Sequence, residues 1–420
     1  MDNRVIGFQH RIKETKEGKA HPSQVCILQG AQKPAYYELL TETDELDFIL
    51  GRFPIAYRKP KEEEDLSVFL PRHIKWQKVK DDGDLNSFPD KLLRFEKQGK
   101  KDAVWFSVSG VPAEYDGLKQ GDELVAILGG SGDRFSYTAG HVGDNIGAKV
   151  FRLPPFLLKE YRERKSRDKK EDALTVAEMF SENPSIFYEL TLRDRELIRL
   201  KEAYIARTDA MKARIGCEQR LRQHTIGRIF VGEGMYPEGV IEDIYDEEKA
   251  NNIIYKALMQ EETIRERELV KIVNALDIYQ KLFQPIEGVG PMIAVRLIVA
   301  IGDIRRFATP AKLKAYCGAH VLSDGRFPRR RNNELANWSN DARQALFLLG
   351  DQFNYRPNSV WGQRLLENKV HFRTQHPDVE VSNGKKKYTD AHTLRMATWR
   401  TLTNFVEWLW AAWWEIEKQA

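Results

Sequence analysis

Three carboxylates lie close together in the stretch RDKKEDALTVAEMF, which runs from Arg167 to Phe180. Asp168 and Asp172, with Glu171 beside them, carry the hard oxygen donors that Mg²⁺ prefers. Residues at positions i and i+4 share one face of a helix, so the spacing of the two aspartates suits a metal site. It suits equally well the charged first turn of a solvated helix, with Asp168 near the N-cap. At this point the sequence leaves both interpretations open.

Local clusters of basic residues could neutralise nucleic-acid phosphates, although the net charge of the whole chain is only +4. The segment 159–172 holds seven basic and five acidic residues, a balance that is also typical of a solvated helix face. The run KKK lies at 385–387. In RFPRRR, at 326–331, no acidic residue offsets the positive charge, which favours a phosphate contact. Its four arginines are Arg326, Arg329, Arg330 and Arg331.

Two glycines precede an apolar helical pattern in QPIEGVGPMIAVRLIVAIGDIRRF, at 284–307. Backbone N–H groups at such a turn, and at the start of the helix after it, can face a phosphate, as in helix-hairpin-helix DNA binders. The pattern therefore predicts a nucleic-acid contact at Gly288 and Gly290. A tight turn between two helices requires the same glycines, and the sequence does not separate the two interpretations.

The elements that must position these residues change in type along the chain. In the N-terminal third, short apolar runs bounded by turn or charged residues predict strands, and two of the runs are closed by glycine. The polar segments 61–65 and 78–84 indicate an insertion between the strands. The predicted strands lie within 4–9, 23–30, 102–110, 122–133 and 147–155.

From about residue 187 the pattern becomes helical. Apolar residues recur every seven positions from Leu190 to Met211, and at alternating three- and four-residue spacing from Leu269 to Phe283. These seams predict either an antiparallel helical hairpin or a dimerising coiled coil.

The last helical segment carries an apolar stripe that predicts core, running from Leu402 to Trp413. Trp399, Trp408 and Trp414 fall off this stripe. Five of the nine tryptophans lie in the last 22 residues, which favours a second apolar contact, with a partner subunit or with stacked bases.

Length and composition predict a folded protein of two or three domains, because the 420 residues are 42% hydrophobic and 30% charged. The three cysteines lie too far apart in sequence to indicate a disulfide framework, so a reducing, cytoplasmic location is expected. The first residues lack the apolar segment of a signal peptide. No run reaches the roughly 18 apolar residues of a membrane span, so no membrane partner is expected.

Taken together, these features resemble the Piv-like DEDD transposases, the insertion-sequence recombinases that include bridge-RNA-guided members. Residues 129–180 are similar to the family's E-A-T-G, G-x-x-V-x-x-V-N-P and K-x-D-x-x-D-A series. Residues 285–326 are similar to its P-G-I-G, IGD and SG series, and residues 334–349 to its I-S-K-x-G-N-x-x-L-R segment. The similarity extends, with gaps, over most of the chain.

The resemblance implies an α/β plus α architecture. Residues 1–186 are expected to form a degenerate RuvC-like, RNase-H-type domain with an insertion at about 41–123. A coiled-coil helical hairpin is expected at 187–283, and a C-terminal all-helical transposase domain, with its helix-hairpin-helix-like start, at 284–420. The implied partners are DNA, a structured guide RNA as in the guided members, and further copies of the chain, as a dimer or tetramer through the coiled coil.

The resemblance also assigns roles to individual residues. In the family, four acidic residues hold a divalent metal such as Mg²⁺ beside a serine that attacks a DNA phosphodiester and becomes joined to it. Ser323 falls where that serine would be, although an ordinary turn residue is the alternative. The three carboxylates of 168–172 fall where the last acidic pair would be, one residue too long in spacing. Gln9 and Gly129 replace the first two acids, and neither supplies a carboxylate.

Three functions remain as hypotheses. The first is a working transposase or site-specific recombinase that uses Ser323 and a metal. The second is a catalytically degenerate, transposase-derived nucleic-acid-binding protein, which the replacements at Gln9 and Gly129 favour. The third is a coiled-coil scaffold without nucleic acid, which leaves the arginine cluster and the glycine pair unexplained.

Overall fold

The structure is a computed structural model that describes residues 4–11, 21–79, 85, 88–97, 103–232, 240–322, 327–328 and 338–419. The chain divides into two compact units, Met1–Thr191 and Leu192–Ala420. The first unit is α/β and the second is mainly helical, so the expected combination of α/β and α parts is confirmed. Within the described ranges, no helix is both long enough and apolar enough to cross a bilayer.

The first unit begins with an antiparallel meander and continues into a separate small sheet. The meander consists of β1 (Arg4–Gln9), β2 (Ser23–Gln29) and β3 (Ala35–Leu39), and is followed by helix α1 (Glu42–Ile49). The small sheet consists of β4 (Phe53–Arg58), β5 (Lys75–Lys78), β6 (Leu93–Lys97) and β7 (Ala103–Asp116). All three partners of β7 pair with it in antiparallel register.

The chain then returns to the first sheet. The remaining elements of the unit are β8 (Glu123–Ile127), α2 (Asp133–Ile146), β9 (Lys149–Leu153), α3 (Pro155–Lys165), α4 (Asp172–Glu182) and β10 (Tyr188–Glu189). The strand order is β10-β9-β8-β1-β2-β3, with β1, β8 and β9 parallel to one another. The carboxyl ends of these three strands therefore meet at one edge of the sheet.

The predicted strands at 4–9, 23–30 and 147–155 are confirmed, with equal or slightly narrower bounds. The strand predicted at 122–133 is much shorter, because β8 ends at Ile127, a 3-10 helix spans Gly130–Gly132 and α2 begins at Asp133. The strand predicted at 102–110 is longer than expected, because β7 continues through Gly110 to Asp116. Gly110 does not end the strand: it lies where the register shifts between Lys75 and Trp76 of the neighbouring strand. A glycine inside a strand often marks such a bulge rather than a turn.

The second unit opens with a helical hairpin made of α5 (Leu192–Phe230), α6 (Ile241–Asn251) and α7 (Ile253–Asn274). Arg207 pairs with Glu266, at 2.6 Å, and Arg214 pairs with Glu262. Because the residue number of the partner on α7 falls as the residue number on α5 rises, the two long helices are antiparallel. The antiparallel hairpin is present within the chain, while supercoiling and dimerisation stay predictions. The predicted seam from Leu269 to Phe283 is not one helix, because α7 ends at Asn274 and a separate π-helix follows at Tyr279–Phe283.

The remaining helices surround a core that they share with the base of the hairpin, including Leu269 and Val273. They are α8 (Pro291–Ile301), α9 (Pro310–Tyr316), α10 (Asn340–Tyr355), α11 (Val360–Gln375) and α12 (Asp390–Gln419). The predicted apolar stripe on α12 is confirmed as core, and Leu402, Phe405 and Trp413 have no exposed surface.

The expectation of an all-helical C-terminal part is wrong in one place. Strands β11 (Glu380–Ser382) and β12 (Lys385–Lys387) form a two-stranded hairpin, so the basic run KKK is a strand. Asn383 and Gly384 join the strands with φ of 51° and 70°. An Asn-Gly pair with positive φ at both residues is the hairpin turn that matches the twist of the flanking strands.

The three tryptophans off the stripe contact other parts of the second unit. Trp399 lies 4.5 Å from the guanidinium carbon of Arg343, and Trp408 lies 5.7 Å from the ring of Trp361. Trp414 donates its indole N–H to the carbonyl of Phe307 at 3.4 Å. Intrachain packing therefore accounts for much of the aromatic surface that a second partner was expected to cover, although Trp408 is still 39% exposed.

Candidate functional site

The candidate site lies at the edge of the main sheet where β1, β8 and β9 end. Helix α4 is held directly against β1 at Gly7, where an added Cβ would come within 1.9 Å of the Ala173 carbonyl oxygen. Only a residue without a side chain permits this approach. As a result, the start of α4 and its predicted ligands are brought to the end of β1, next to Gln9.

Asp168 and Glu171 are exposed at this edge. Asp168 is the N-cap of a short 3-10 helix, Lys169–Glu171, and its carboxylate accepts a hydrogen bond from the Lys170 backbone N–H at 3.0 Å. The capping interpretation of Asp168 is therefore confirmed. A carboxylate oxygen that satisfies a helix N–H group is partly committed already, which makes it a weaker candidate for metal ligation.

Asp172 is the one buried carboxylate among the three predicted ligands, with 2% of its surface exposed. Its Oδ1 lies 3.3 Å from Nη1 of Arg162 on α3 and has no hydrogen-bond partner, while Oδ2 accepts from Nη1 at 3.4 Å. Burial raises the pKa of Asp172 to about 6, and the charges of Arg162 and Lys169 limit the rise. Arg162 supplies positive charge to a carboxylate for which the family pattern implies a metal.

Gln9 ends β1 and is buried, with 6% of its surface exposed. Its amide Nε2 donates to the Lys169 carbonyl at 3.0 Å, which ties β1 to the 3-10 helix before α4. The amide oxygen, Oε1, is buried without a hydrogen-bond partner. The side chain therefore serves as a donor to the backbone here, a role that a carboxylate at position 9 would not fill.

Gly129 follows β8 in a conformation that other residues avoid, with φ of 81° and ψ of −179°. This region of the backbone map is open essentially to glycine alone. Gly130, with φ of 83°, continues the loop toward α2. The replacement of the family's glutamate is thus accompanied by a backbone that disfavours any side chain at the position.

Two further charged residues lie near this edge and were not predicted from the sequence. Asp133, in the first turn of α2, is 9% exposed, and its Oδ1 lies 3.9 Å from Nη1 of Arg152 on β9. Both residues have further partners. The available sequence signal was an aspartate at a helix start directly after a glycine loop, but nothing in the sequence pointed to Arg152 as its neighbour.

These residues do not fit a divalent metal well. Mg²⁺ demands near-octahedral oxygen ligation, usually from one or two carboxylates together with water and substrate. Here Asp172 is paired with Arg162, Asp168 caps a helix, and Gln9 supplies one unpaired amide oxygen. Across the described ranges, no three or more His, Cys, Asp or Glu side chains are grouped so that they could hold a metal ion.

The glycine pair of the second unit lies directly before α8. Gly290 is the N-cap of α8, Pro291 is its first residue, and a Cβ added at Gly290 would meet open space. Gly288 has φ of 92°, and an added Cβ would lie 3.3 Å from Nη1 of Arg356. The start of α8 therefore combines an open approach at Gly290 with a guanidinium close to Gly288, and the helix dipole there suits an anion.

The predicted serine and its arginine cluster lie outside the described residues: Ser323, Arg326, Arg329, Arg330 and Arg331. Arg343, on α10, is a described cation that follows this segment, and it donates from Nη1 to the Gly318 carbonyl at 2.6 Å. Its guanidinium carbon lies 5.2 Å from the Trp338 ring centroid and 4.5 Å from that of Trp399. Burial lowers the pKa of Arg343 from its usual value.

Comparison with known proteins identifies one part of the second unit. No curated protein matches the chain. Residues 280–324 match the transposase family described as IS116/IS110/IS902. The matched segment begins at the second residue of the π-helix Tyr279–Phe283. It includes Gly288, Gly290, α8, α9 and position 323. The chain is therefore similar to transposases of this family over residues 280–324.

Proposed function

We propose that this chain is a nucleic-acid-binding protein of transposase descent whose strand-end site no longer binds a divalent metal. The observation that carries the proposal is the pair of Asp172 and Arg162, at 3.3 Å. A guanidinium cannot coordinate a phosphoryl oxygen and a nucleophile together as a metal does, although it still neutralises a buried carboxylate. Gln9 and Gly129 agree with this interpretation, since neither supplies a carboxylate.

The fold of the first unit supports the descent. Its sheet joins the antiparallel meander β1-β2-β3 through β1 to the parallel strands β8 and β9, as an RNase-H-type, RuvC-like domain would. The candidate residues follow the ends of β1 and β8 and begin α4, which are the places where the resemblance puts the acidic residues. The small sheet β4–β7 falls within the segment interpreted as an insertion.

The start of α8 supports nucleic acid as the ligand. Helix N-termini attract phosphate because unpaired N–H groups and the helix dipole act together. Gly290 leaves the approach to the helix start open, and Arg356, which packs against Gly288, adds a full positive charge. This segment lies within the part of the chain that matches the transposase family, which gives DNA as the expected partner.

The proposal is tested by purifying the full chain from cells after crosslinking and sequencing the nucleic acid that is bound. We expect enriched DNA or RNA in the sample and none with an unrelated protein of similar charge. A single discrete RNA would indicate a guide, and DNA alone would indicate direct binding. If no nucleic acid is enriched, the proposal is wrong and the helical scaffold becomes the better hypothesis.

A second candidate function is a working recombinase that attacks through Ser323. It is favoured by the family match, which extends through position 323. Such an enzyme would require Mg²⁺ on Asp168, Glu171 and Asp172, and phosphate contacts from the arginines at 326–331. It would also need Arg162 to leave Asp172 when DNA and metal bind.

Ser323→Ala distinguishes the two candidates. A recombinase should lose strand joining entirely in this variant while its DNA affinity and thermal stability stay unchanged, because only the nucleophilic hydroxyl is removed. Thr309→Ala, which removes a hydroxyl that caps α9, is a matched control for general effects of losing a hydroxyl in this unit. Strand joining that persists in Ser323→Ala would remove this serine from the mechanism.

A further inference from the structure

Two guanidinium groups and an imidazole surround one buried carboxylate in the first unit, away from the strand-end site. Asp47 on α1 has a side chain that is 2% exposed. Its Oδ1 accepts from Arg52 Nε at 2.8 Å and from Arg72 Nη2 at 2.5 Å. Its Oδ2 accepts from Arg72 Nε at 2.9 Å and lies 2.7 Å from His73 Nε2. Burial alone would raise the pKa of Asp47, but the hydrogen bonds from Arg72, His73 and Arg52 hold it below its usual range.

The positive charge of this cluster exceeds what Asp47 requires. One carboxylate faces two guanidinium groups, so the cluster is cationic even with a neutral imidazole. Arg52 uses only Nε, and Arg72 uses Nε and Nη2, so other N–H groups of both side chains have no partner among the described residues. The Arg52 and Arg72 side chains remain 44% and 39% exposed.

The two guanidinium groups are held in place before any ligand arrives. Since both donate to the same oxygen of Asp47, their nitrogens lie within about 5 Å of each other, a separation suited to one phosphate group. The backbone N–H of Arg52 also donates to the Asp47 carbonyl at 2.8 Å. The hydrogen bond with Asp47 raises the pKa of Arg72, and the charge of Asp44 adds to the rise. Asp44 also accepts a hydrogen bond in the capping box with Thr41, and its negative charge offsets part of the positive charge of the cluster.

Two exposed tyrosines lie near this cluster, and Tyr115 is within electrostatic range of Asp47. The Tyr115 ring is 39% exposed and its centroid lies 5.8 Å from that of the His73 ring. Tyr57 is 37% exposed, and Lys75 Nζ lies 3.6 Å from its ring centroid. Burial, and next the charge of Tyr115, raises the pKa of Tyr57, so the two tyrosines lie within electrostatic range. Cations interleaved with exposed aromatic rings are the surface that single-stranded nucleic acids use.

We propose that Arg52 and Arg72 bind a backbone phosphate of a single-stranded nucleic acid whose bases stack on Tyr115 and Tyr57. This inference rests on the proposed nucleic-acid-binding function and names a second contact for it. A single strand is the expected ligand because a base can stack on a side-chain ring only when it has left its own stack. No group in the cluster reads the sugar, so short ribo- and deoxyribo-oligomers should bind alike.

The arginines are tested by fluorescence anisotropy of the full chain with labelled oligouridylate and oligothymidylate over a range of salt concentrations. Arg52→Gln should weaken binding about tenfold and lower the slope of log K against log salt by about 0.7, the value for one phosphate on a single strand. Arg52→Lys should keep most of the salt slope, because its charge is retained. Lys149→Gln makes the same charge change at an exposed residue of β9 and should leave binding unchanged.

The stacking contact is tested with an oligomer that lacks its bases. Tyr115→Ala should weaken binding of the normal oligomer several-fold and leave binding of the abasic oligomer unchanged, because only the base contact is removed. Thermal melting checks that each variant is folded, and Tyr115→Ala and Arg52→Lys remain informative if Arg52→Gln is not.

Failure of this inference differs from failure of the proposed function. If the wild-type chain binds single strands and Arg52→Gln and Tyr115→Ala bind equally well, the cluster is only a structural tie for Asp47. If the chain binds duplex DNA but no single strand, the inference is again wrong while the proposed function stands. If no nucleic acid binds at all, the proposed function fails first.

Discussion

Arg162 and Asp172 show how one pairing changes what a buried carboxylate can do. In an apolar setting an ionised carboxylate needs a partner, and either a metal or a guanidinium can provide the charge. A metal would leave open coordination positions for substrate. The Arg162 guanidinium offers only N–H donors, and it cannot act as a Lewis acid. The same acidic residue therefore belongs to a catalytic site in one case and to a structural ion pair in the other.

The raised pKa of Asp172 predicts a pH dependence of stability. Because the folded-state pKa, about 6, lies above the unfolded value, the folded state holds the proton more tightly. The resulting stabilisation is complete below about pH 4 and is lost as the pH rises through about 6, which amounts to about 3 kcal/mol at most. Asp172→Asn should remove this dependence. The free energy of unfolding of the variant minus that of wild type should therefore increase from acidic to neutral pH.

Urea unfolding of both proteins across this pH range measures the effect. Asp168→Asn is the matched control, since asparagine also caps a helix and position 168 is exposed, and its stability should stay within about 0.5 kcal/mol of wild type. Parallel pH profiles for wild type and Asp172→Asn would show that burial does not disfavour the charge at position 172.

The backbone at Gly129 predicts a cost for any side chain there. Gly129→Ala should destabilise the first unit by about 1–3 kcal/mol, because alanine must adopt φ near 81°. Gly132→Ala is the control: an added Cβ there meets its nearest atom, His10 Cβ, at an ordinary 3.5 Å. Equal unfolding free energies for the two variants would mean that the loop relaxes. Restoring the family's glutamate at 129 is therefore expected to cost stability before it adds a metal ligand.

At the scale of elements, the close packing of α4 on β1 positions the whole candidate site. Gly7→Ala should destabilise the first unit by about 3 kcal/mol, since the added methyl would overlap the Ala173 carbonyl oxygen and α4 would have to move. Gly110→Ala is the matched control, a strand glycine whose added Cβ would meet nothing closer than 3.6 Å. Urea unfolding compares them, and a Gly7→Ala protein as stable as Gly110→Ala would contradict the packing.

Sequence patterns predicted elements well where a single local rule decided the outcome. Apolar runs of strand length found β1, β2, β8 and β9, and three- and four-residue spacing found the antiparallel hairpin. The patterns failed where a residue had two uses. Gly110 suits a strand end but lies at a bulge inside β7. The run KKK suits a basic surface but also forms strand β12, which follows the hairpin turn at Asn383 and Gly384.

The candidate site could be predicted only in part for a related reason. Asp168 as an N-cap follows from local sequence, and its position near Gln9 followed from resemblance. Arg162 as the partner of Asp172, and Arg52 and Arg72 as partners of Asp47, depend on how α3, α1 and the loop before β5 pack. Sequence spacing carries no direct information about such contacts between elements.

At the scale of the whole molecule, exposed apolar residues at the ends of three helices of the second unit predict self-association. Five apolar residues cluster in sequence around the ends of α5, α6 and α7, with 59–82% of their surface exposed: Phe230, Val231, Val240, Ile253 and Ile254. Exposed apolar residues of this extent commonly mark an interface. A second copy of the chain is the expected partner, as the resemblance implies.

The double change Ile253→Lys with Ile254→Lys should shift the chain from dimer or tetramer to monomer, because two charges would be buried in an apolar contact. Val360→Lys changes one residue of similar exposure on α11 and should leave the assembly intact. Sedimentation velocity measures both. A wild-type chain that is already monomeric at micromolar concentration, or a double variant that still assembles, would show that Ile253 and Ile254 do not form the interface.

The central claim is that the chain binds nucleic acid without a metal-dependent strand-end site. It is tested most directly by titrating labelled DNA with the full chain in Mg²⁺ and in EDTA, and then running the same samples on a denaturing gel. We expect binding in Mg²⁺ to be no tighter than in EDTA, because Mg²⁺ only competes for the DNA phosphates, and we expect intact strands throughout. Strands that are cut or joined only in Mg²⁺, with the products lost in Asp172→Ala, would contradict the claim and identify a working recombinase.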